Sequence, residues 1–233
     1  MAQLFEKNYI IWNGFNTKNN RILIEQLPIP PKAEERKELI TIEGRNGFLT
    51  LNRGCYNSIT YEVQLNLSYT ADVNEVKRFF KGSGNLILSC VPNVTYNATI
   101  VNQIEFERIV GEKRTCIVTF ELQPLPYVND VPTVEIIASP TTLYNTYNTS
   151  SYPRMRVFGS GSGRVYINDI AIQLTEINSY VDLDSELEMC YKGSTNYNNK
   201  MIGEFPILQE GSNIISFDGG ITKININPCW RTL

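Results

Sequence analysis

The 233 residues of this chain include no histidine, and the chemistry that survives is that of carboxylates, lysines or tyrosines. That excludes Ser-His-Asp and Cys-His nucleophiles and histidine-ligated metals. The densest titratable run is Val181-Asp-Leu-Asp-Ser-Glu-Leu-Glu-Met189. If extended, it turns Asp182, Asp184, Glu186 and Glu188 to one side and Val181, Leu183, Leu187 and Met189 to the other. Clustered carboxylates bind Ca²⁺ or supply the two acids of glycoside hydrolysis. Neither pattern is complete here: no Gly and no distal Glu follow at EF-hand positions, and spacing assigns no acid pair. The expectation is a solvated strand face or turn. Gly159-Ser-Gly-Ser-Gly163 resembles a phosphate loop, yet no Lys-Ser/Thr follows and Arg164-Val-Tyr-Ile167 reads as strand, so a turn is expected. The sequence therefore predicts no catalytic residue, no metal site and no cofactor.

The five cysteines (Cys55, Cys90, Cys116, Cys190, Cys229) are odd in number, scattered and never in a C-x-x-C pair. They read as free thiols made in a reducing cytoplasm. A glycan or docking surface would draw on Trp230, Tyr191 and Tyr197, although buried packing is the commoner fate of a lone tryptophan. The segment Leu27-Pro-Ile-Pro-Pro-Lys-Ala-Glu-Glu-Arg-Lys-Glu38 joins a stiff proline run to mixed charge. It reads either as a solvated loop or as an arm reaching a neighbouring subunit, with Pro30, Pro31, Lys32, Arg36 and Lys37 as candidate interface residues. Arg45 joins them, in the turn Glu43-Gly-Arg-Asn-Gly-Phe48.

The elements that must position these groups are mostly strands. Short alternating segments punctuated by Gly, Pro and Asn predict a mainly β protein. Leu86–Cys90 reads as a strand ending at Pro92, and Asn102–Val110 and Arg114–Leu122 read as strands around a Gly111-Glu112-Lys113 turn. Asp72–Gly82 is the exception: Asp72 and Glu75 have capping-box spacing, Val73, Val76 and Phe80 share a face, and Gly82 can end a helix. Three prolines in Pro124–Pro132 predict an extended linker, dividing the chain into 1–131 and 132–233. Beyond it, short strands are expected at Val134–Ala138, Met155–Gly159, Arg164–Asn168, Val181–Asp184, Leu187–Tyr191, Asn213–Phe217 and Ile221–Ile226. Asp218-Gly219-Gly220 is read as the hairpin between the last two, and the whole as a β-sandwich.

The formal net charge is −3. Counted on either side of Val131, the first part carries 14 basic and 14 acidic residues and the second 7 and 10. Neither presents the basic footprint of a nucleic-acid binder. No stretch reaches the ~20 apolar residues of a spanning helix, and the opening residues lack a signal peptide's basic and apolar regions. No membrane partner and no secretion are expected, and the N-x-S/T matches at Asn66, Asn93, Asn97 and Asn148 are read as chance.

Several segments occur in an order that resembles the distal tail proteins of long-tailed phages of Gram-positive bacteria. In the first part these are Trp12-Asn-Gly-Phe15, Glu43-Gly-Arg-Asn-Gly47, Phe79-Phe-Lys-Gly82 and Val118-Thr-Phe-Glu-Leu-Gln-Pro124. In the second they are Tyr180-Val-Asp-Leu-Asp-Ser-Glu186, Met201-Ile-Gly-Glu-Phe-Pro-Ile-Leu208, Gly211-Ser-Asn-Ile-Ile-Ser-Phe217 and Ile226-Asn-Pro-Cys-Trp-Arg231. The resemblance implies a non-enzymatic virion protein of the tail tip, assembled in the host cytoplasm. It implies an N-terminal β-rich belt domain with one short helix, closing into a homo-hexameric ring, and a C-terminal galectin-like β-sandwich. Its implied partners are the major tail tube protein, a tail-associated lysin or tail fibre, and a receptor-binding protein or cell-wall glycan. Galectin sugar sites use a histidine, so sugar binding by that route is not expected here.

Overall fold

The computed structural model describes residues 8–68, 71–108 and 114–233. The chain is mainly antiparallel β, with one α-helix among the described residues, and it divides into two compact units between Pro126 and Tyr127. The expected Gly111–Lys113 turn lies outside the described residues.

The first unit contains β1 (Ile10–Trp12), β2 (Phe15–Asn16), β3 (Ile22–Leu23), β4 (Glu35–Thr41), β5 (Phe48–Tyr56), β6 (Ile59–Leu67), α1 (Val73–Phe79), β7 (Ser83–Leu88), β8 (Val91–Ile100), β9 (Glu107–Arg108) and β10 (Arg114–Leu122). Its main sheet runs β2-β1-β7-β8-β10-β6-β3, with β9 against β10. Strands β6 and β10 alternate strictly. Ile59, Tyr61, Val63, Leu65 and Leu67 bury beside Cys116, Val118, Phe120 and Leu122, in a register running from Leu122↔Ile59 to Arg114↔Leu67. Two amphipathic strands in register make one apolar wall. Trp12 packs against it, 5.3 Å from Phe120.

Helix α1 forms where its pattern predicts, but it is short. Asp72 accepts from the Asn74 amide at 2.8 Å, one residue before the Glu75 amide that capping-box spacing would select. Val76 and Phe80 are buried, and Gly82 takes a positive φ of 68°. Phe15 stacks on Phe79 at 4.5 Å, and Trp12 Nε1 donates to the Phe79 carbonyl at 3.0 Å. Two strand expectations need correction. Pro92 does not end a strand; it is the second residue of β8, a position where proline is tolerated. Residues 102–106 are not strand either. The Asn102 side chain replaces the ladder there, accepting from the Thr119 amide and donating to the Ile117 carbonyl, both at 2.8 Å.

The second unit contains β11 (Tyr127–Val128), β12 (Val134–Ile136), β13 (Thr141–Asn145), β14 (Arg154–Ile167), β15 (Ile170–Asp184), β16 (Met189–Lys192), β17 (Thr195–Asn196), a 3₁₀ turn (Asn198–Lys200), β18 (Met201–Ile202) and β19 (Gly211–Asn227). Its sheet runs β12-β19-β14-β15-β16-β17, with β13 on β19 and β18 on β15. Tyr127 and Val128, expected in a linker, are instead tied down: the Val128 amide donates to the Trp230 carbonyl at 2.8 Å.

The larger correction concerns strand length. Met155–Gly159 and Arg164–Ile167 belong to the single strand β14, with Asn168 in the turn after it, and Asn213–Phe217 and Ile221–Ile226 to the single strand β19. The Gly-Ser-Gly-Ser-Gly run and Asp218-Gly219-Gly220 are not turns that end strands. They face each other as a corner around which the strands bend, with register shifts on both sides. A Cβ on Gly159 or Gly220 would overlap the Gly220 or Ser160 carbonyl, respectively, so only bare backbone allows the approach. Strand β15 bends beside them, with Glu176 and Ser179 in the left-handed region. Both halves of the bent strands, Met155 and Val157 with Val165 and Ile167, then feed one core. The sheet curls over its own apolar face.

Candidate functional site

The Leu27–Glu38 segment divides at Ala33. Its first part is a strap fastened to the first unit. Pro30 and Ala33 are buried, and the Pro28 carbonyl accepts from the Tyr61 hydroxyl at 2.6 Å. Burial of that phenol raises its pKa well above the ordinary value. Pro30 is therefore packed within its own unit. Pro31 and Lys32 are exposed, and Arg36 and Lys37 lie on β4.

From Glu35 onward the chain enters an arm. Strands β4 and β5 form a two-stranded sheet of their own, paired Lys37↔Asn52 through Thr41↔Phe48. Every residue from Arg36 to Cys55 is exposed. Arg45 sits in the connecting loop, its amide donating to the Ile42 carbonyl at 3.1 Å. Several of the polar residues on its strands are paired. Lys37 meets Glu35 at 3.3 Å, Arg53 meets Glu38 at 2.9 Å, and Arg36 donates to Asn57 at 3.2 Å. Exposed pairs of this kind contribute between nothing and about 1 kcal/mol. The apolar residues are the anomaly. Leu39 (59%), Phe48 (63%), Ile40, Ile42, Leu49 and Leu51 all stand in solvent. Ile40 pairs directly with Leu49, and Glu38 with Leu51, so Ile40, Leu49 and Leu51 form one apolar stripe. An isolated two-stranded hairpin is only marginally stable in water, and exposed apolar stripes mark contact surfaces. The Asn46-Gly47 turn between Leu39-Ile-Thr-Ile42 and Phe48-Leu-Thr-Leu51 was the sequence signal for this arm.

The acidic run of the second unit divides in two: Glu186 to Met189 are exposed, in and just after a turn, as expected, whereas the strand part before them is not solvated. Val181 to Ser185 are all buried. Asp182 holds Arg156 through two contacts, Nε at 2.6 Å and Nη2 at 3.0 Å. Asp184, 4% exposed, meets Arg154 Nε at 3.0 Å, and its Oδ1 accepts from the Glu186 and Leu187 amides, both at 3.1 Å. Glu186 receives the Tyr127 hydroxyl; burial foremost, and then this carboxylate, raise the Tyr127 pKa. The carboxylates are thus structural partners of two arginines on the next strand, while Leu187 and Met189 are exposed. The signal was in the sequence: Arg154-Met-Arg156 and Asp182-Leu-Asp184 carry opposite charges with the same period of two. Removing the Asp184 carboxylate by Asp184→Ala should orphan two backbone amides and leave Arg154 only its 3.8 Å contact with Glu186. A loss of about 2–3 kcal/mol in urea unfolding is expected, with Asp184→Asn costing roughly half as much. A loss below about 0.5 kcal/mol for the alanine variant contradicts this account.

Trp230, a candidate for a docking surface whose commoner fate is buried packing, is 8% exposed and lies against the core of its unit, 6.4 Å from Tyr147. Tyr197 is half-buried against the same core, its amide donating to the Cys190 carbonyl at 2.8 Å. Tyr191 is different: it sits opposite Asp182 on the sheet face with the arginines. Burial pushes the Cys116 thiol up to about 12 and the Cys190 thiol to about 11. Among the described residues no group of three Cys, Asp or Glu is arranged to hold a metal ion, and no helix is long and apolar enough to cross a membrane.

No protein-family model matches the chain, and no curated protein matches it by sequence. A solved structure does match. The crystal structure of SPP1 Dit (gp 19.1), described as a paradigm of the hub adsorption apparatus in phages infecting Gram-positive bacteria, aligns with a TM-score of 0.75. The chain has the fold of a phage Dit protein. The alignment covers 97% of this chain and 99% of that one, at 13% identity. The Dit fold therefore spans both units, the arm-bearing first one and the curled second one.

Proposed function

We propose that this protein is a structural hub component of a phage tail tip. The observation that carries the reading is the end-to-end likeness to SPP1 Dit, a hub adsorption protein. In this reading the first unit closes into a homo-hexameric ring that continues the tail tube and seats a tail-associated lysin or fibre. The second unit carries receptor-binding parts, and the protein works in the virion after assembly in the host cytoplasm. The apolar β4–β5 arm supports it: a ring needs a head-to-tail contact repeated by rotation, and an arm that cannot bury its own stripe supplies one half of such a contact. Pro31, Lys32, Arg36, Lys37 and Arg45 would lie at or beside that interface. The balanced charge of the first part suits a ring through which DNA passes without binding.

The test is the mass of the purified protein by light scattering across a concentration series. A hexamer, or a pair of stacked hexamers, is expected. A chain that stays monomeric at every concentration, and also with its tail tube protein present, rejects the ring.

A further inference from the structure

One face of the second unit's curled sheet carries a shallow hollow of about 260 Å³, lined among others by Arg154, Arg156, Asp182, Tyr191, Asn225 and Asn227. The strand register brings them together: Asn225 lies opposite Arg156, Arg156 opposite Asp182, and Asp182 opposite Tyr191. Four adjacent strands therefore each contribute one polar or aromatic side chain to a single row across the sheet.

We propose that this hollow is a binding site for a neutral sugar, one pyranose unit of a glycan. Three features point to that class. The two arginines of the lining are each paired, Arg156 with Asp182 and Arg154 with Asp184, so the lining itself offers no unpaired charge to draw a phosphate-bearing or a cationic ligand. The polar groups are held in place. Arg156 is bound twice to Asp182 while its guanidinium lies 4.4 Å from the Tyr180 ring centre, and Lys192 lies 5.4 Å from the same centre. Its remaining N–H groups and the outer lone pairs of Asp182 form a donor–acceptor pair, which is what vicinal hydroxyls match. Finally, Asn225 Oδ1 is buried without a hydrogen-bond partner. Orphaned acceptors are rare and costly in native proteins, and a ligand hydroxyl that shifts this amide would supply the missing bond. Tyr191 adds an aromatic surface for the apolar face of a sugar ring. The donor set contains no histidine.

The hollow lies just below the roughly 300–1,000 Å³ of small-molecule pockets, so a single site binds weakly, in the millimolar range. Six copies on a ring would multiply that by avidity; this last step rests on the ring proposed above, whereas the site itself does not.

The probe is a panel of methyl pyranosides (gluco, galacto, rhamno and N-acetylglucosamine) read by saturation-transfer NMR on the full chain, with glycerol phosphate as the charged comparator. Transfer to at least one sugar is expected, with affinity at least tenfold weaker in Asn225→Ala and Tyr191→Ala and unchanged in Tyr144→Ala, an exposed residue elsewhere in the unit. Chemical-shift changes in the Asn225 side-chain amide and Arg156 Nε of the unaltered protein keep the test valid should a variant fail to fold. No transfer from any sugar overturns the proposal. So does undiminished transfer in both variants, or binding of glycerol phosphate alone. None of these outcomes bears on self-association, which light scattering reads separately.

Discussion

Replacing Ile40 and Leu49 together by aspartate is expected to abolish self-association while leaving the chain folded, with the melting temperature that the unaltered protein has when too dilute to assemble. Both side chains are exposed within the chain itself and pair across the arm, so the folded unit loses no buried contact when they change. The interface loses much more. Each side chain contributes about 1.5–3 kcal/mol when fully covered, so the pair is worth roughly 3–6 kcal/mol, or two to four decades in affinity at each contact. The two added carboxylates would also be desolvated against apolar surface. Light scattering and thermal melting on the same sample check both halves of the expectation. A variant that keeps the parent mass would show that the arm is not the contact of the proposed ring. Removing the whole Leu27–Glu38 segment is a poorer experiment. It takes out the buried Pro30 and Ala33 and the Pro28 carbonyl that Tyr61 donates to, so lost assembly and lost folding become confounded.

Gly220→Ala is expected to be the most damaging single methyl in the second unit, costing about 3 kcal/mol or more in denaturant unfolding. The added Cβ overlaps the Ser160 carbonyl oxygen, which belongs to backbone and has no rotamer in which to escape. Relieving the overlap means opening the corner where β14 and β19 bend together, and that separates the two halves of the core that Val157 and Val165 share. Ser162→Ala, an exposed change within the same corner, should stay within about 0.5 kcal/mol of the parent. Equal and small effects from the two substitutions would mean that the corner is loose, and that the sheet does not depend on it to curl.

The sequence by itself determined whatever depends on short-range periodicity. The inward rows of β6 and β10, the helix around Val76 and the mainly β character follow from the alternation of apolar residues and from an N-cap, signals carried within a few neighbouring positions. The absence of histidine removed whole classes of chemistry before any fold was known. Tertiary structure decided the rest, because it concerns which segments meet. Glycine runs read equally well as chain reversals and as bends, and only the approach of Gly159 to Gly220 makes them a corner inside long strands. A row of carboxylates looks solvated until Arg154 and Arg156 are laid beside it on the next strand. Trp230 and Pro30 could have pointed either way, and packing against their own units turned both inward. The reverse holds for Ile40, Leu49 and Phe48. Their types predict burial, but a two-stranded arm has no third layer to cover them, and the chain leaves that apolar surface exposed.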